Sequence, residues 1–432
     1  MLYESTGAQS PAVPLSKAML AGAAPDGGLY LPQAMPSFSL EDFGDPDDLP
    51  GLAQTLLAPF FAGDTLAGAL GDICAQVFNF PAPLVQLGPD KHVLELFHGP
   101  TAAFKDFGAR FLAACMDRLA SPAKPLSVLV ATSGDTGGAV GCAFAGLQAA
   151  KVVILYPQGR VSPLQEHQLT CWPRRTVTSL RVAGDFDDCQ RLVKAAFADK
   201  ALAQRFGLTS ANSINIGRLL PQMVYYAAAS LKLFRMRGKP ANFVIPSGNM
   251  GNAMACLWAR RCGLPIAGVV LAQNANRPLV DYFERGVFTP RASKATLANA
   301  MDVGNPSNFE RFAVALPVLN HHVRALAVSD TDIAAQIGKD ARAMGRIWCP
   351  HSATAAWAYE QMKPEERDRP WVLVATAHPA KFDEVVAPQA PGGIDPCPAL
   401  DAIAGLPAHV TDMPASLDAL AEVLVAGAKA AL

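Results

Sequence analysis

Charge is scarce in this chain and almost cancels. Asp, Glu, Lys and Arg make up 17% of 432 residues, and 36 basic against 37 acidic side chains leave a formal net charge of −1. Without a basic surplus, neither nucleic acid nor an anionic membrane surface is expected as the main partner, although a local basic pocket stays open. Long apolar runs are missing too: the most apolar stretch, GGAVGCAFAGLQAAKVVILY, is broken by Gln148 and Lys151, so no membrane span is expected. The opening residues have no basic n-region and carry Lys17 inside their only apolar patch, which makes a poor secretory signal. The nine cysteines include no CxxC pair and no Cys/His ligand spacing. That sets aside a disulfide frame and a zinc site and suits reduced thiols in a cytoplasmic protein. Cys115, Cys142 and Cys256 lie in apolar helical runs, where they read as core filler. No Ser/His/Asp set and no paired carboxylates stand out, so hydrolase readings are weak.

What is present is apolar bulk, 51% of the residues, enough for two or three domains. Residues 1 to about 92 form a mixed extension: DGGLYLP turns into a short strand, and two helical runs follow an acidic loop. The cluster Asp45, Asp47 and Asp48 in that loop reads as solvated rather than metal-binding. From Val93 the rhythm changes to strands alternating with helices, with strands expected at 126–131, 151–157 and 176–184. RLLPQMVYYAAASLKLF, 218–234, reads as one long helix with Pro221 tolerated in its first turn. The pattern then restarts, with strands at 241–246, 265–273 and 371–379 and a closing amphipathic helix from Leu417. The expected fold class is α/β: two parallel-sheet halves, 93–235 and 236–432, with ligands between them at the carboxyl ends of strands. SPAKPL and 387–400 read as proline-rich connections.

Five stretches carry candidate chemistry. In HGPTAAFKDFG, Lys105 sits between Phe104 and Phe107 where a helix begins. A solvated first-turn lysine would look the same. An amine in an apolar frame, however, is also what carbonyl chemistry needs. PSGNMGN follows one strand and opens a helix, and its glycines let backbone N–H groups approach an anion. It lacks GK[ST] and the GxGxxG spacing, and an ordinary tight turn would also fit. ATSGDTGGAV has the same grammar and suits a small carboxylate or phosphate, or a simple helix cap. Asp135 within it must point away from such an anion or be neutralised. SANSINIGR ends in Arg218, whose guanidinium offers a bidentate fork to phosphate or carboxylate, or caps a turn at the surface. ATAHPAKF leaves a buried strand, placing Thr376 at its carboxyl end, with His378 more plausibly structural than catalytic.

Together these motifs, in this order from PDGGLYLP to about residue 385, resemble the threonine synthase family of fold type II pyridoxal-phosphate enzymes, in its longer microbial and fungal form. The resemblance implies pyridoxal 5′-phosphate as cofactor, bonded to Lys105, with its phosphate on the backbone of Gly248, Asn249, Met250 and Gly251. Met250 stands where relatives often carry phenylalanine, which leaves a backbone donor unaffected. Thr376 would face the pyridine nitrogen. Ser133, Asp135 and Thr136 would line the substrate carboxylate and the ring's phenolic oxygen, and Ser213, Asn215 and Arg218 the substrate phosphate. The implied activity turns O-phospho-L-homoserine and water into L-threonine and phosphate, by γ-elimination and β-hydration. Lys105 would move the protons, the expected assembly is a monomer or homodimer, and no metal is implied. Neutralising an ordinary lysine at pH 7 costs roughly 4–5 kcal/mol, which Phe104 and Phe107 would reduce by disfavouring the ammonium. Two rivals are another fold type II lyase or dehydratase acting on serine, threonine or a phosphorylated relative, and a binding protein without chemistry.

Overall fold

Short runs rich in valine, isoleucine and leucine pair as strands, and the alanine-rich segments between them cover both faces as helices. A computed structural model of the chain, describing residues 1–121, 125–319 and 322–429, builds two such sheets and a small hairpin-like pair. In chain order the strands are β1 (Tyr3–Ser5), β2 (Tyr30–Pro32), β3 (Leu84–Gln86), β4 (Lys91–Glu95), β5 (Leu126–Ala131), β6 (Ala150–Pro157) and β7 (Val177–Ala183). There follow β8 (Leu208–Ser210), β9 (Ala241–Pro246), β10 (Ile266–Gln273), β11 (Val323–Ala327), β12 (Trp371–Ala375) and β13 (Thr411–Pro414). A six-stranded sheet has the order β11-β10-β9-β12-β4-β3, parallel except for β3, and a five-stranded parallel sheet has the order β13-β7-β6-β5-β8. The mixed extension packs onto this frame: Tyr3, Phe60 and Phe61 share one apolar core with Phe107 and Phe111.

Sheet membership cuts across the boundaries expected at 92 and 235. Strands β3 and β4 precede the Lys105 helix yet belong to the sheet of the later half, and β13, near the end of the chain, joins the sheet of the earlier half. Val93 and Leu94 are fully buried, and β4 secures that burial by lying beside β12, Val93 opposite Leu373. The strand order β9-β12-β4 therefore places three carboxyl ends side by side, those that lead to PSGNMGN, to Thr376 and to Lys105.

The run at 218–234 is two helices, Ile216–Leu219 and Gln222–Arg237, because Pro221 has no N–H to continue the ladder and instead caps the second. Arg218 thus lies within a one-turn helix rather than opening a long one. The helix Pro350–Glu360 escaped the periodicity reading, since it is buried almost all round and shows no polar stripe. In the acidic loop, Asp48 caps the helix Leu49–Leu57 and Asp47 pairs with Lys232 at the surface. No group of side chains among the described residues could hold a metal ion, and no described helix is long and apolar enough to cross a membrane. Positions 122–124 of the SPAKPL connection and 430–432 of the closing helix lie outside the described residues.

Candidate active site

Between the two sheets lies a cavity of about 930 Å³, open mouth included, and Lys105 and Gly248–Gly251 both line it. Lys105 is the first residue of the helix Lys105–Leu119, and the segment before it is pinned from two sides. Buried Asp106 accepts from the Thr101 N–H at 2.9 Å and the Thr101 hydroxyl at 2.6 Å. The segment after β12 holds the rest: Phe104 N–H donates to the Thr376 carbonyl at 2.8 Å and His378 N–H to that of Ala102 at 3.0 Å. Ala102 is held left-handed, at φ 54°, a conformation costing an ordinary residue about 1 kcal/mol. The His378 ring accepts from the Ala380 N–H and does not line the cavity.

Burial, reinforced by Arg218 and Lys381 and opposed by Asp135, brings the Lys105 amine down to about 8. Keeping it neutral at pH 7 then costs only about 1–2 kcal/mol. Of the two flanking rings, Phe104 lies 5.4 Å from the amine, whereas Phe107 is taken up by a cluster with Phe78, Phe80 and Tyr225. The neutral fraction of an amine grows as pH passes its pKa. Borohydride trapping of a small aromatic aldehyde on the apoprotein should therefore accelerate with pH and level off above about 8, the position given by burial here. A midpoint near 10.4, that of an ordinary lysine, would contradict this geometry.

Opposite the amine, Met250 adopts φ +61° to cap the helix Gly251–Arg261. A side chain at Gly248 would come within 2.8 Å of the Met301 backbone, so only glycine fits there. Asn249 anchors the turn: its amide donates to the Ser213 hydroxyl at 2.6 Å and accepts from the Ser307 N–H, while Asn308 binds its carbonyl at 3.0 Å. Among the described residues, no hydrogen bond leaves the N–H groups of Gly248, Asn249, Met250 or Gly251. The Ser247 hydroxyl and the Asn252 side-chain N–H₂, buried and lining the same cavity, have no partner among the described residues. Converging orphan donors at a helix N-terminus fit a bound phosphate.

The third wall is the turn after β5. Gly134 adopts φ +130°, and the Thr132 hydroxyl accepts from the N–H groups of Gly134 and Gly137. Ser133, Asp135 and Thr136 all line the cavity. Burial alone would raise the Asp135 carboxyl, but the Lys381 and Lys105 amines beside it hold it well below the usual carboxylate range. The neutralisation an acidic residue needs in such a turn comes from Lys381, 2.8 Å away. His351 is itself neutral, because burial pushes its ring down to about 4 and its Nε2 accepts from the Ala300 N–H.

Ser213, Arg218 and Thr376 reach the cavity; Asn215 does not. The Asn215 amide donates to the carbonyls of Met19 and Ser210 and accepts from the Gly217 N–H, so its polar atoms are consumed in capping the short helix Ile216–Leu219. Arg218 is almost wholly buried; one guanidinium nitrogen donates to the Ala211 carbonyl and its Nε has no partner among the described residues. Burial lowers it to about 10, which leaves it a cation at neutral pH. The sequence reading missed Arg311, His351, Gln165 and Lys381. Arg311 is buried without a carboxylate and binds the carbonyls of Tyr30 and Ile214 and the side chain of Asn308, a role with no local sequence signal.

Three family descriptions match the chain: "Pyridoxal-phosphate dependent enzyme" over residues 80–377, "Threonine synthase N terminus" over 2–78 and "Threonine synthase, C-terminal" over 352–424. The threonine synthase of Escherichia coli (strain K12) is 38% identical over 418 residues, 96% of each chain. The crystal structure of threonine synthase from Escherichia coli superposes with a TM-score of 0.90 at 35% identity, covering 99% of this chain and 100% of that one. A pyridoxal-phosphate-bound threonine synthase structure from Brucella melitensis gives 0.89 at 34% identity, covering 99% of both.

Proposed function

The chain belongs to the threonine synthase family of pyridoxal-phosphate enzymes, and from that premise we infer how its residues divide the work. It is a pyridoxal-phosphate-dependent lyase that converts O-phospho-L-homoserine and water to L-threonine and phosphate. The observation carrying the residue assignments is the convergence of Lys105, the orphan donors at 248–251 and the buried cation Arg218 on one cavity.

When bound, pyridoxal phosphate supplies an electron sink for negative charge developing on substrate carbons. The N–H groups of Gly248, Asn249, Met250 and Gly251 would hold its phosphate, helped by the helix N-terminus behind them. Lys105 would hold its aldehyde, and Thr376 would meet its ring nitrogen. A hydroxyl, unlike a carboxylate, does not enforce a protonated ring. Ser133, Thr136 and the N–H groups of their turn would receive the substrate carboxylate. Arg218 and Ser213 would take the substrate phosphate, oriented so that it departs from Cγ. With a pKa near 8, Lys105 can collect a proton at Cα and pass protons at Cβ and Cγ without large cost in either form. Asn215 is left out of this division, being spent on its cap. Nine free cysteines, eight of them buried, support a reducing, cytoplasmic setting.

Incubation with O-phospho-L-homoserine should release inorganic phosphate and threonine one for one. Ammonia and a keto acid in place of threonine would mean a dehydratase instead.

A further inference from the structure

Lys381 is fully buried, and it lies outside the lining of the cavity. Its ammonium meets two groups, the Asp135 carboxylate at 2.8 Å and the Thr101 carbonyl at 2.9 Å. Asp135 starts the helix that follows β5, in the five-stranded sheet, while Lys381 follows β12, in the six-stranded sheet. The ion pair therefore crosses between the two halves of the molecule, and its second contact holds the segment leading to Lys105. Other ties gather around it. Gln165 donates to Asp135 at 3.0 Å and accepts from Asn299 at 2.9 Å, Ser162 donates to the Lys381 carbonyl at 3.0 Å, and Gln168 donates to the Thr101 carbonyl at 3.1 Å.

A buried ion pair is a poor route to stability, because desolvation offsets much of its attraction. Its position suggests another use. A carboxylate in a turn meant for an anion repels that anion unless a cation sits behind it. Of the titratable groups around Asp135, burial keeps the His351 ring neutral and Lys105 must shed its proton to act, which leaves Lys381, 2.8 Å away, as the ion-pair partner.

We propose that Lys381 is a positioning residue for the substrate-carboxylate turn, locking Asp135 and residues 133–136 onto the half of the molecule that carries Lys105 and the cofactor-phosphate turn. This rests on the reading of that turn given above. Lys381 touches neither substrate nor cofactor and acts through Asp135.

The test compares wild type, Lys381→Met and the double variant Lys381→Met/Asp135→Asn. Three quantities are read: steady-state kinetics with O-phospho-L-homoserine, cofactor uptake by the apoprotein, and the apoprotein's melting temperature. Lys381→Met should raise KM by about tenfold or more, the equivalent of one strong contact, while cofactor uptake changes by less than about threefold. Its melting temperature should fall, since Asp135 is left buried and unpaired. The double variant should melt near wild type and shed the part of the KM rise due to the uncovered carboxylate, yet stay at least about threefold above wild type because residues 133–136 are still untied from the Lys105 half. An unchanged KM in Lys381→Met overturns the proposal, and so does a double variant that regains wild-type KM along with its melting temperature, for the pair is then only structural. Should wild type make no threonine, the reaction assigned above is what fails. The proposal is then decided by L-threonine affinity, read from cofactor absorbance, which must weaken about tenfold in Lys381→Met and at least about threefold in the double variant.

Discussion

Lys105→Ala abolishes threonine formation, by a factor of about 10³ or more, and removes the shifted visible absorbance of the bound cofactor. The size of the effect follows from one amine serving as both the covalent anchor and the proton carrier. The protein should survive the change. Alanine is at home in a first helical turn, and the bonds that shape the segment belong to neighbours: Thr101 to Asp106, Phe104 to Thr376, His378 to Ala102. The apoprotein should even melt slightly higher, since a buried amine with a lowered pKa is a cost that alanine removes. Borohydride treatment followed by mass measurement should find no cofactor adduct at this position. Full turnover in this variant would end the assignment.

Arg218→Ala should lose use of the phosphorylated substrate while retaining cofactor. A buried, charge-assisted contact to phosphate is worth about 2–4 kcal/mol, or about 30- to 1000-fold in kcat/KM. Under the division of residues proposed above, two anions would share this cavity, so cofactor titration is the deciding second measurement. Retained cofactor with lost phosphorylated-substrate use places Arg218 at the substrate phosphate. Lost cofactor would move it to the cofactor phosphate, and Ser213 with it, since Asn249 ties Ser213 to that turn.

The turns were legible because each needs a local backbone conformation that only a few residue types permit. Gly134 at φ +130° and Gly248 against Met301 are visible as glycines before any coordinates exist. Lys105 and Thr376 were each readable, but their adjacency was not, because it arises from β4 pairing with β12 across most of the chain. The same pairing defeated a simple division into halves. Asn215 misled because a helix cap and an anion ligand draw on the same residue types, and only the list of its partners separates them. Lys381 stood in plain sight within ATAHPAKF. Its partner lies in another sheet, so nothing local marked it.

The route of the chain between its sheets also bears on how the protein is made. Val93 and Leu94 leave the ribosome long before β12, their neighbour, exists. At about 5–20 residues per second, the roughly 280 intervening residues take about 15–55 s to synthesise. The β7 edge waits in the same way, over roughly 230 residues, for β13, which emerges last of all the strands. Until both arrive, the nascent chain presents unpaired, apolar strand borders. Truncation before Thr411 should therefore yield aggregation rather than a stable fragment, and holdase chaperones should engage this chain late in its translation.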